Sequence, residues 1–270
     1  MMRSLWTAAS GMTSQQTNVD IISNNLANIN TTGYKKESAQ FKSLLYQTIQ
    51  DQSYDNKGNP KPSGIQVGLG VRNSAITSQY TEGVIAQTGN QYDLAIDGKG
   101  FFMVQTADGG TAYTRNGSFQ MAVGENGMVL ATSEGNPVLD TNGQPIVVSK
   151  ALKTSDITID ESGNLCYPDA NNNAKPLGIQ IGIAQFNNPG GLSKFADSLL
   201  SETEASGTPQ LVTPAATGSQ YKIKQGYLEG SNVQAVDEMV NLIVAQRAYE
   251  MNSKIVKAAD EMMQQANNLR

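Results

Sequence analysis

The amino-acid sequence predicts an α+β protein with one long helix at each end and a β-rich centre. All nine prolines lie between Pro60 and Pro214, and 25 of the 26 glycines lie between Gly33 and Gly230. Proline and glycine disfavour helix interiors and favour turns, so the ends can form long helices while the centre must turn often. The 270 residues suffice for one large domain or two smaller ones.

The N-terminal end carries one apolar stripe at alternating steps of three and four residues. The stripe consists of Leu5, Ala8, Met12, Gln15, Val19, Ile22, Leu26 and Ile29. This spacing is typical of the contact face of a coiled coil and predicts a helix over roughly 4–31. Gly33 supplies the expected stop after the helix.

The C-terminal end carries a matching stripe. Ser231 and Gln234 have the spacing of a capping box, which predicts that a helix begins near residue 231. The stripe consists of Val244, Ala248, Met251, Ile255, Ala258, Met262, Gln265 and Leu269. Many of these side chains are Ala, Gln or Met, so two such helices would form a weak coil that further copies complete. The alternative is an ordinary two-helix packing within one globule.

The centre reads as a series of short strands and hairpins. Residues 93–98 and 101–105 have strand patterns, and turn sequences recur at 107–110, 124–127, 140–143 and 160–163. This predicts a small sandwich or irregular barrel.

Three parts of the chain follow from these patterns. The terminal segments 1–35 and 231–270 form a helical domain, and 73–209 form the β-rich domain. Residues 36–72 and 210–230 are expected to be extended connections. Within the first of them, the polar stretch 51–64 reads as a long extended segment or as a surface loop.

Composition excludes several classes of function. The chain has no His, one Cys (Cys166) and a net charge of −5. His-based triads, internal disulfides and Cys-rich metal sites are therefore excluded, and nucleic acid is not an expected partner. We expect no catalytic residue, no cofactor and no metal site. Asp93 and Asp97 could act as a glycosidase pair, although carboxylates beside a strand turn are commonly structural.

No segment reads as a signal peptide or a membrane span. The apolar stretches near Arg3 are too short for a signal-peptide core, and no window approaches 18 apolar residues. The protein is expected either to be cytosolic or to leave the cell without a cleaved signal.

Three sequence blocks resemble the flagellar rod and hook proteins. They are NNLANINTTGYK at 24–35, DLAIDGKGFF with YTRNGSF at 93–102 and 113–119, and GYLEGSNV with AQRAYE at 226–233 and 245–250. The blocks occur in the order of the family. The segments RSLW, LLYQTI and GIQVGLGVR, at 3–6, 44–49 and 64–72, are most similar to the members that build the distal rod.

The resemblance implies a structural subunit and not an enzyme. Many copies would stack helically into a hollow drive shaft that transmits torque from the motor to the hook, with the terminal helices inside and the β-domain outside. The implied location is the flagellar basal body, reached through type III export without a cleaved signal. The implied partners are copies of the same chain, the proximal rod and hook proteins, surrounding ring proteins and the export apparatus. The alternatives are a hook or proximal rod subunit, or a secreted glycan-acting β-protein.

Contacts between copies are expected at the stripe and motif positions. Asn residues on a helix are intrinsically unfavourable, so those at 24, 25 and 28 either lie at a frayed end or bond to neighbouring chains. Arg247 is either solvated or paired between subunits. The expected self-assembly residues are Leu5, Met12, Val19, Ile22, Asn25, Leu26, Asn28, Ile29, Gly33, Tyr34, Val244, Arg247, Ala248, Met251, Ile255 and Met262.

Overall fold

A computed structural model of the chain describes residues 2–50, 64–124, 127–150, 152–169, 173–212 and 221–268. The elements in chain order are α1 (Met2–Ala27), β1 (Glu37–Ser43), β2 (Tyr46–Gln50), β3 (Ile65–Gly68), β4 (Val71–Ser78), β5 (Ile85–Gln87), β6 (Leu94–Gly98), β7 (Phe101–Gln105), β8 (Thr111–Thr114), β9 (Phe119–Val123), β10 (Met128–Thr132), β11 (Val147–Val148), β12 (Thr158–Ile159), β13 (Asn164–Pro168), β14 (Ala174–Gln180), β15 (Ile183–Gln185), β16 (Ser193–Lys194), β17 (Leu199–Ser201), β18 (Gln210–Leu211), β19 (Tyr221–Gln225), β20 (Tyr227–Glu229) and α2 (Ala235–Asn268). The predicted arrangement of a helix, a β-rich centre and a second helix is confirmed.

The chain forms two compact units. Unit 1 comprises Met1–Ala27, Glu37–Ser78 and Gln234–Arg270, and unit 2 comprises Asn28–Lys36 and Gln79–Val233. The expected connection 36–72 contains β1, β2, β3 and the start of β4, and the expected connection 210–230 contains β18, β19 and β20. The expected long segment 51–64 lies outside the described residues except for Gly64.

Unit 1 is built on the two helices, which run antiparallel. The Asn25 side chain near the end of α1 bonds to Glu238 near the start of α2. At the other end, a methyl group added to Gly11 would lie 2.8 Å from Asn252 Nδ2, so the helices approach closely there. At 1.5 Å per residue, α1 is roughly 40 Å long and α2 roughly 50 Å.

A two-tiered hairpin completes unit 1. The strands β1 and β4 pair antiparallel, and β2 pairs with β3 in the same sense. The bond from Leu44 N to Gly70 O joins the two tiers. The hydroxyl of Ser10 on α1 accepts a hydrogen bond from Val71 N at 3.3 Å, which fixes the hairpin against the helix.

Unit 2 consists of small antiparallel sheets around an apolar core. Its largest sheet has the order β16-β17-β8-β7-β15-β18, and two three-stranded sheets and two strand pairs accompany it. The Phe102 and Phe119 rings meet edge to face in the main core, with centroids 5.1 Å apart. Hairpin pairs at β7–β8, β9–β10 and β12–β13 confirm the predicted turns at 107–110, 124–127 and 160–163, although residues 125–126 are not described.

Both helices are shorter than predicted on the side next to unit 2. α1 ends at Ala27 instead of residue 31, and Gly33, at φ +70°, donates its N–H to Glu229 O. α2 begins at Ala235, so the expected cap at Ser231 is wrong. The Ser231 hydroxyl instead accepts the Val233 N–H in a local turn, because the preceding backbone pairs with β5.

Candidate assembly surfaces and a buried ionic cluster

The α1-facing side of α2 is built on small side chains. Ala245 and Ala259 are buried there, together with Glu238. Two alanines 14 residues apart lie on one side of a helix, and their short side chains let another helix approach closely. The protomer therefore uses a face of α2 that differs from the stripe predicted by the sequence.

The predicted stripe of α2 is exposed. Ile255, in the middle of it, is 48% exposed. Its exposed apolar neighbours along the helix are Val236, Met239, Val240, Ile243, Val244, Met251 and Met262. An apolar row of this length on an unpaired helix face indicates an interaction surface.

The remaining predicted residues of α2 lie beside this row. Ala248 is half-buried, and Arg247 is exposed, with its guanidinium 2.8 Å from the Glu250 carboxylate on the same helix. The structure thus places the Arg247 ion pair within one chain.

On α1, the predicted stripe is covered in part. Ile22 is buried, whereas Leu5, Met12, Val19 and Leu26 are half-buried. Trp6 projects from the same helix and is strongly exposed. Ile29 lies beyond the end of α1 and is half-buried in unit 2.

Asn25 has an internal role in unit 1. Its side-chain amide donates to Glu37 O at 2.9 Å and to the Glu238 carboxylate at 3.1 Å, and its carbonyl accepts from Glu37 N at 2.9 Å. Only 1% of the residue is exposed, so it has almost no surface to offer a second copy. A buried amide with three bonds also explains why Asn is tolerated on this helix.

The outer tier of the unit 1 hairpin exposes apolar side chains. Every residue of β2 is exposed. The large apolar side chains on this tier are Leu45, Tyr46, Ile49, Ile65 and Leu69. A two-stranded hairpin is marginal by itself in water, so this tier is a second candidate contact surface.

Unit 2 contains a buried ionic cluster of Lys35, Glu229 and Arg115. Lys35 Nζ lies 2.5 Å from Glu229 Oε1, and Arg115 Nη1 lies 3.0 Å from Glu229 Oε2. The side chains are 6%, 1% and 8% exposed in the order given. Each residue comes from a different one of the three sequence blocks, so the blocks meet at one point in the fold.

Backbone groups complete the cluster. Lys35 Nζ donates to Thr81 O at 2.8 Å, and Gly83 N donates to Glu229 Oε1 at 3.0 Å. The Arg115 guanidinium donates to Ile96 O at 3.2 Å and to Gly98 O at 2.6 Å. Burial lowers the pKa of Lys35 below its ordinary value, and the Glu229 carboxylate opposes that shift.

Asn232 joins three chain segments of unit 2 beside this cluster. Its side chain accepts from Lys36 N at 2.7 Å and donates to Gln79 O and to the Thr81 hydroxyl, each at 2.8 Å. These segments include the ends at which the chain passes from unit 2 to unit 1, at 36/37, 78/79 and 233/234. The cluster and Asn232 therefore hold the exits of unit 2 on its β-core.

The carboxylates considered for catalysis have structural partners. Asp93 is buried and accepts from the Thr88 hydroxyl at 2.6 Å and from Asn90 Nδ2 at 3.0 Å. Asp97 pairs with Lys224 at 2.7 Å. In the part of the chain that the structure describes, no group of three or more Cys, Asp or Glu is placed to hold a metal ion. Neither of the two described helices is long and apolar enough to cross a membrane.

Three family models match the chain in order. "Flagella basal body rod protein" matches residues 5–35, "Flagellar hook protein FlgE/F/G D1 domain" matches 95–167, and "Flagellar basal body rod FlgEFG protein C-terminal" matches 224–269. Each of the three ionic residues lies in a different one of these ranges.

Full-length relatives narrow the family. "Flagellar basal-body rod protein FlgG" of Agrobacterium fabrum is 45% identical over 264 residues, which cover 97% of both chains. The FlgG of Borreliella burgdorferi is 43% identical over 277 residues, which cover 100% of this chain and 99% of the relative. The chain belongs to the FlgG family of flagellar basal-body rod proteins. It is a structural subunit of the rod.

Two proteins of Bacillus subtilis separate FlgG from a related group. Its FlgG is 38% identical over 270 residues, and its "Flagellar hook-basal body complex protein FlhP" is 32% identical over 278 residues. Both matches span the whole of each chain. The chain is therefore more similar to the FlgG of that bacterium than to its FlhP.

Proposed function

We propose that copies of this chain polymerise helically into the hollow distal rod, a drive shaft that transmits torque from the motor to the hook. The observation that carries the proposal is full-length similarity to FlgG proteins, together with the exposed apolar row of α2. In the rod, the terminal helices line the inner tube, where coiled-coil-like contacts between copies cover this row. The β-rich domain forms the outer layer.

The assembly has further partners in this proposal. The rod contacts the proximal rod at one end and the hook at the other, and ring proteins surround it. The export apparatus delivers the subunits without removal of a signal peptide. No enzymatic activity, cofactor or nucleic acid is part of this role. A hook or proximal rod subunit is the alternative, and the FlgG matches favour the distal rod over it.

The remaining predicted contact residues belong to the same proposal. Leu5, Met12, Val19 and Leu26 keep part of their surface exposed in the single chain, as do Val244, Met251, Ile255 and Met262. These side chains would contact other copies, whereas Ile22 and Asn25 are buried within unit 1.

Paired substitutions on α2 test the proposal. Ile255→Asp places a charge on the exposed row, and Ala259→Asp places the same charge on the buried side. Ile255→Asp should leave the helix content and unfolding midpoint of the monomer nearly unchanged but abolish sedimentable polymer. Ala259→Asp should instead destabilise the monomer by several kcal/mol, because a buried charge lacks a partner there (about 3–5 kcal/mol).

Asn267→Asp supplies the matched control, since it adds one negative charge at an exposed position of α2 away from the row. This variant should polymerise like the wild type in electron micrographs and sedimentation. Normal polymers from Ile255→Asp would show that the exposed row makes no contact between copies.

A further inference from the structure

We propose that a cavity in unit 2 binds a carboxylate, which an acidic side chain of a second copy supplies in the assembled rod. The source of the carboxylate rests on the proposed function. The cavity has a volume of about 200 Å³ and lies beside the ionic cluster. The wall residues that matter for binding are Tyr34, Lys35, Tyr80, Arg115, Lys194 and Phe195.

The wall of the cavity is cationic. Lys35, Arg115 and Lys194 line it, and no Asp or Glu is among its described lining residues. Lys194 Nζ lies 5.8 Å from the centroid of the Tyr34 ring, which stabilises the ammonium next to the opening. Even with Glu229 and the nearby Glu82 included, the surroundings keep an excess positive charge.

The donor groups favour an oxygen anion. Arg115 is 8% exposed, and its Nε has no hydrogen-bond partner among the described residues. A carboxylate in the cavity would gain charge-assisted contacts from Lys194 and would offset the excess charge of Lys35 and Arg115. Attraction between charges is stronger in such a partly desolvated space than in bulk water.

The size of the cavity selects the form of the ligand. Sites for drug-sized molecules have volumes of roughly 300–1,000 Å³. At about 200 Å³, this cavity fits one acidic side chain rather than a large cofactor.

A second copy of the chain is the source that fits the charges. The chain has 24 Asp and Glu against 19 Lys and Arg, so every copy presents acidic groups in excess. Phe195 borders the cavity and is 67% exposed, which provides apolar surface that a neighbouring copy would cover. Asn28, Gly33 and Tyr34, which the sequence assigns to contacts between copies, also line the cavity.

A binding experiment uses the full chain and a short peptide, acetyl-Gly-Glu-Gly-amide, with acetyl-Gly-Gln-Gly-amide as the control ligand. In NMR titrations, the Glu peptide should shift amides of 33–35, 80 and 194–200, and the Gln peptide should not. Lys194→Gln should weaken Glu-peptide binding by about five- to tenfold, as expected for loss of one charge-assisted contact. Lys175→Gln, an exposed lysine on β14, should leave it unchanged.

An assembly experiment tests the source. Lys194→Glu should raise the critical concentration for polymerisation by about tenfold, equivalent to one lost ionic contact, whereas Lys175→Glu should not change it. The Glu peptide should also raise the critical concentration of the wild type but not that of Lys194→Glu.

The outcomes separate the two parts of the inference. Absent or diffuse shifts would overturn the carboxylate site. Localised shifts, with normal polymerisation of Lys194→Glu, would overturn the second copy as the source. If the wild type forms no polymer, the proposed function and this source both fail, and the peptide shifts alone decide whether the cavity binds a carboxylate.

Discussion

Glu229→Gln tests how strongly the ionic cluster holds unit 2 together. The substitution keeps the size of the side chain but removes the carboxylate that contacts both Lys35 and Arg115. The Gln amide group would turn its own donors toward one of the two cations. Both cations would then remain buried without a counter-charge.

The structure sets the expected size of the effect. Breaking a buried ion pair by removing one partner typically costs about 3–5 kcal/mol. Lys35 keeps Thr81 O as an acceptor, and Arg115 keeps Ile96 O and Gly98 O. Because these carbonyls still solvate the cations, we expect a loss of about 3 kcal/mol, at the lower end of that range.

Urea unfolding followed by far-UV circular dichroism measures the loss, and hydrogen exchange of β6 and β7 locates it in unit 2. Fluorescence of Trp6 reports on unit 1 only. Glu161→Gln is the matched control, since its pair with Lys222 is 2.9 Å long but 68% and 55% exposed. That pair should contribute less than about 1 kcal/mol. Equal effects of the two substitutions would refute the central role of the cluster.

Two further variants probe the same region. Gly33→Ala combines a left-handed backbone at φ +70° with a methyl group 2.7 Å from the Arg115 carbonyl carbon, and should lower the free energy of unfolding by about 2–4 kcal/mol. Gly143→Ala has φ +75° but open space around the methyl group, so urea unfolding should show a loss of only about 1 kcal/mol, and equal losses would exclude the close contact. Lys35→Met tests the pKa shift: burial lowers the pKa of Lys35 below 10.5, so unfolding takes up a proton and the wild type gains stability as pH rises from the lowered pKa to 10.5. The free energy of unfolding of the wild type minus that of Lys35→Met should therefore rise with pH in this window, and a flat difference would contradict the shift; Tyr113, whose pKa is raised to about 12, is present in both proteins and cancels.

The large elements were predictable because their signals are local. The absence of helix breakers at both ends predicts α1 and α2, and strand and turn patterns predict β6, β7 and the hairpin at 107–110. The helix ends were not predictable to within four residues. Their positions depend on bonds between distant segments, such as Gly33 N to Glu229 O, which no local pattern contains.

The ionic cluster was missed for a similar reason. Lys35, Arg115 and Glu229 are separated by 80 residues or more, and each is a single charged residue in a polar stretch. Such residues are ordinarily solvated, so composition gives no reason to pair them. The available signal was their position, because each lies in one of the three blocks that carry the family resemblance. Blocks that are far apart in sequence but diagnostic together can indicate residues that meet in the fold.

The stripe on α2 shows what helical periodicity can and cannot establish. The spacing identifies an apolar face, but it does not say whether that face is covered by the same chain or by another. In this protein, α1 contacts the side with Ala245 and Ala259, while the bulkier Val244, Met251 and Ile255 stay exposed. Complete burial of such a side chain contributes about 1.5–3 kcal/mol, so covering the exposed half of each would still contribute roughly 1 kcal/mol. The single chain therefore satisfies its small residues and leaves the larger part of the available apolar stabilisation to contacts with other copies, which is the division of contacts that a polymerising rod subunit requires.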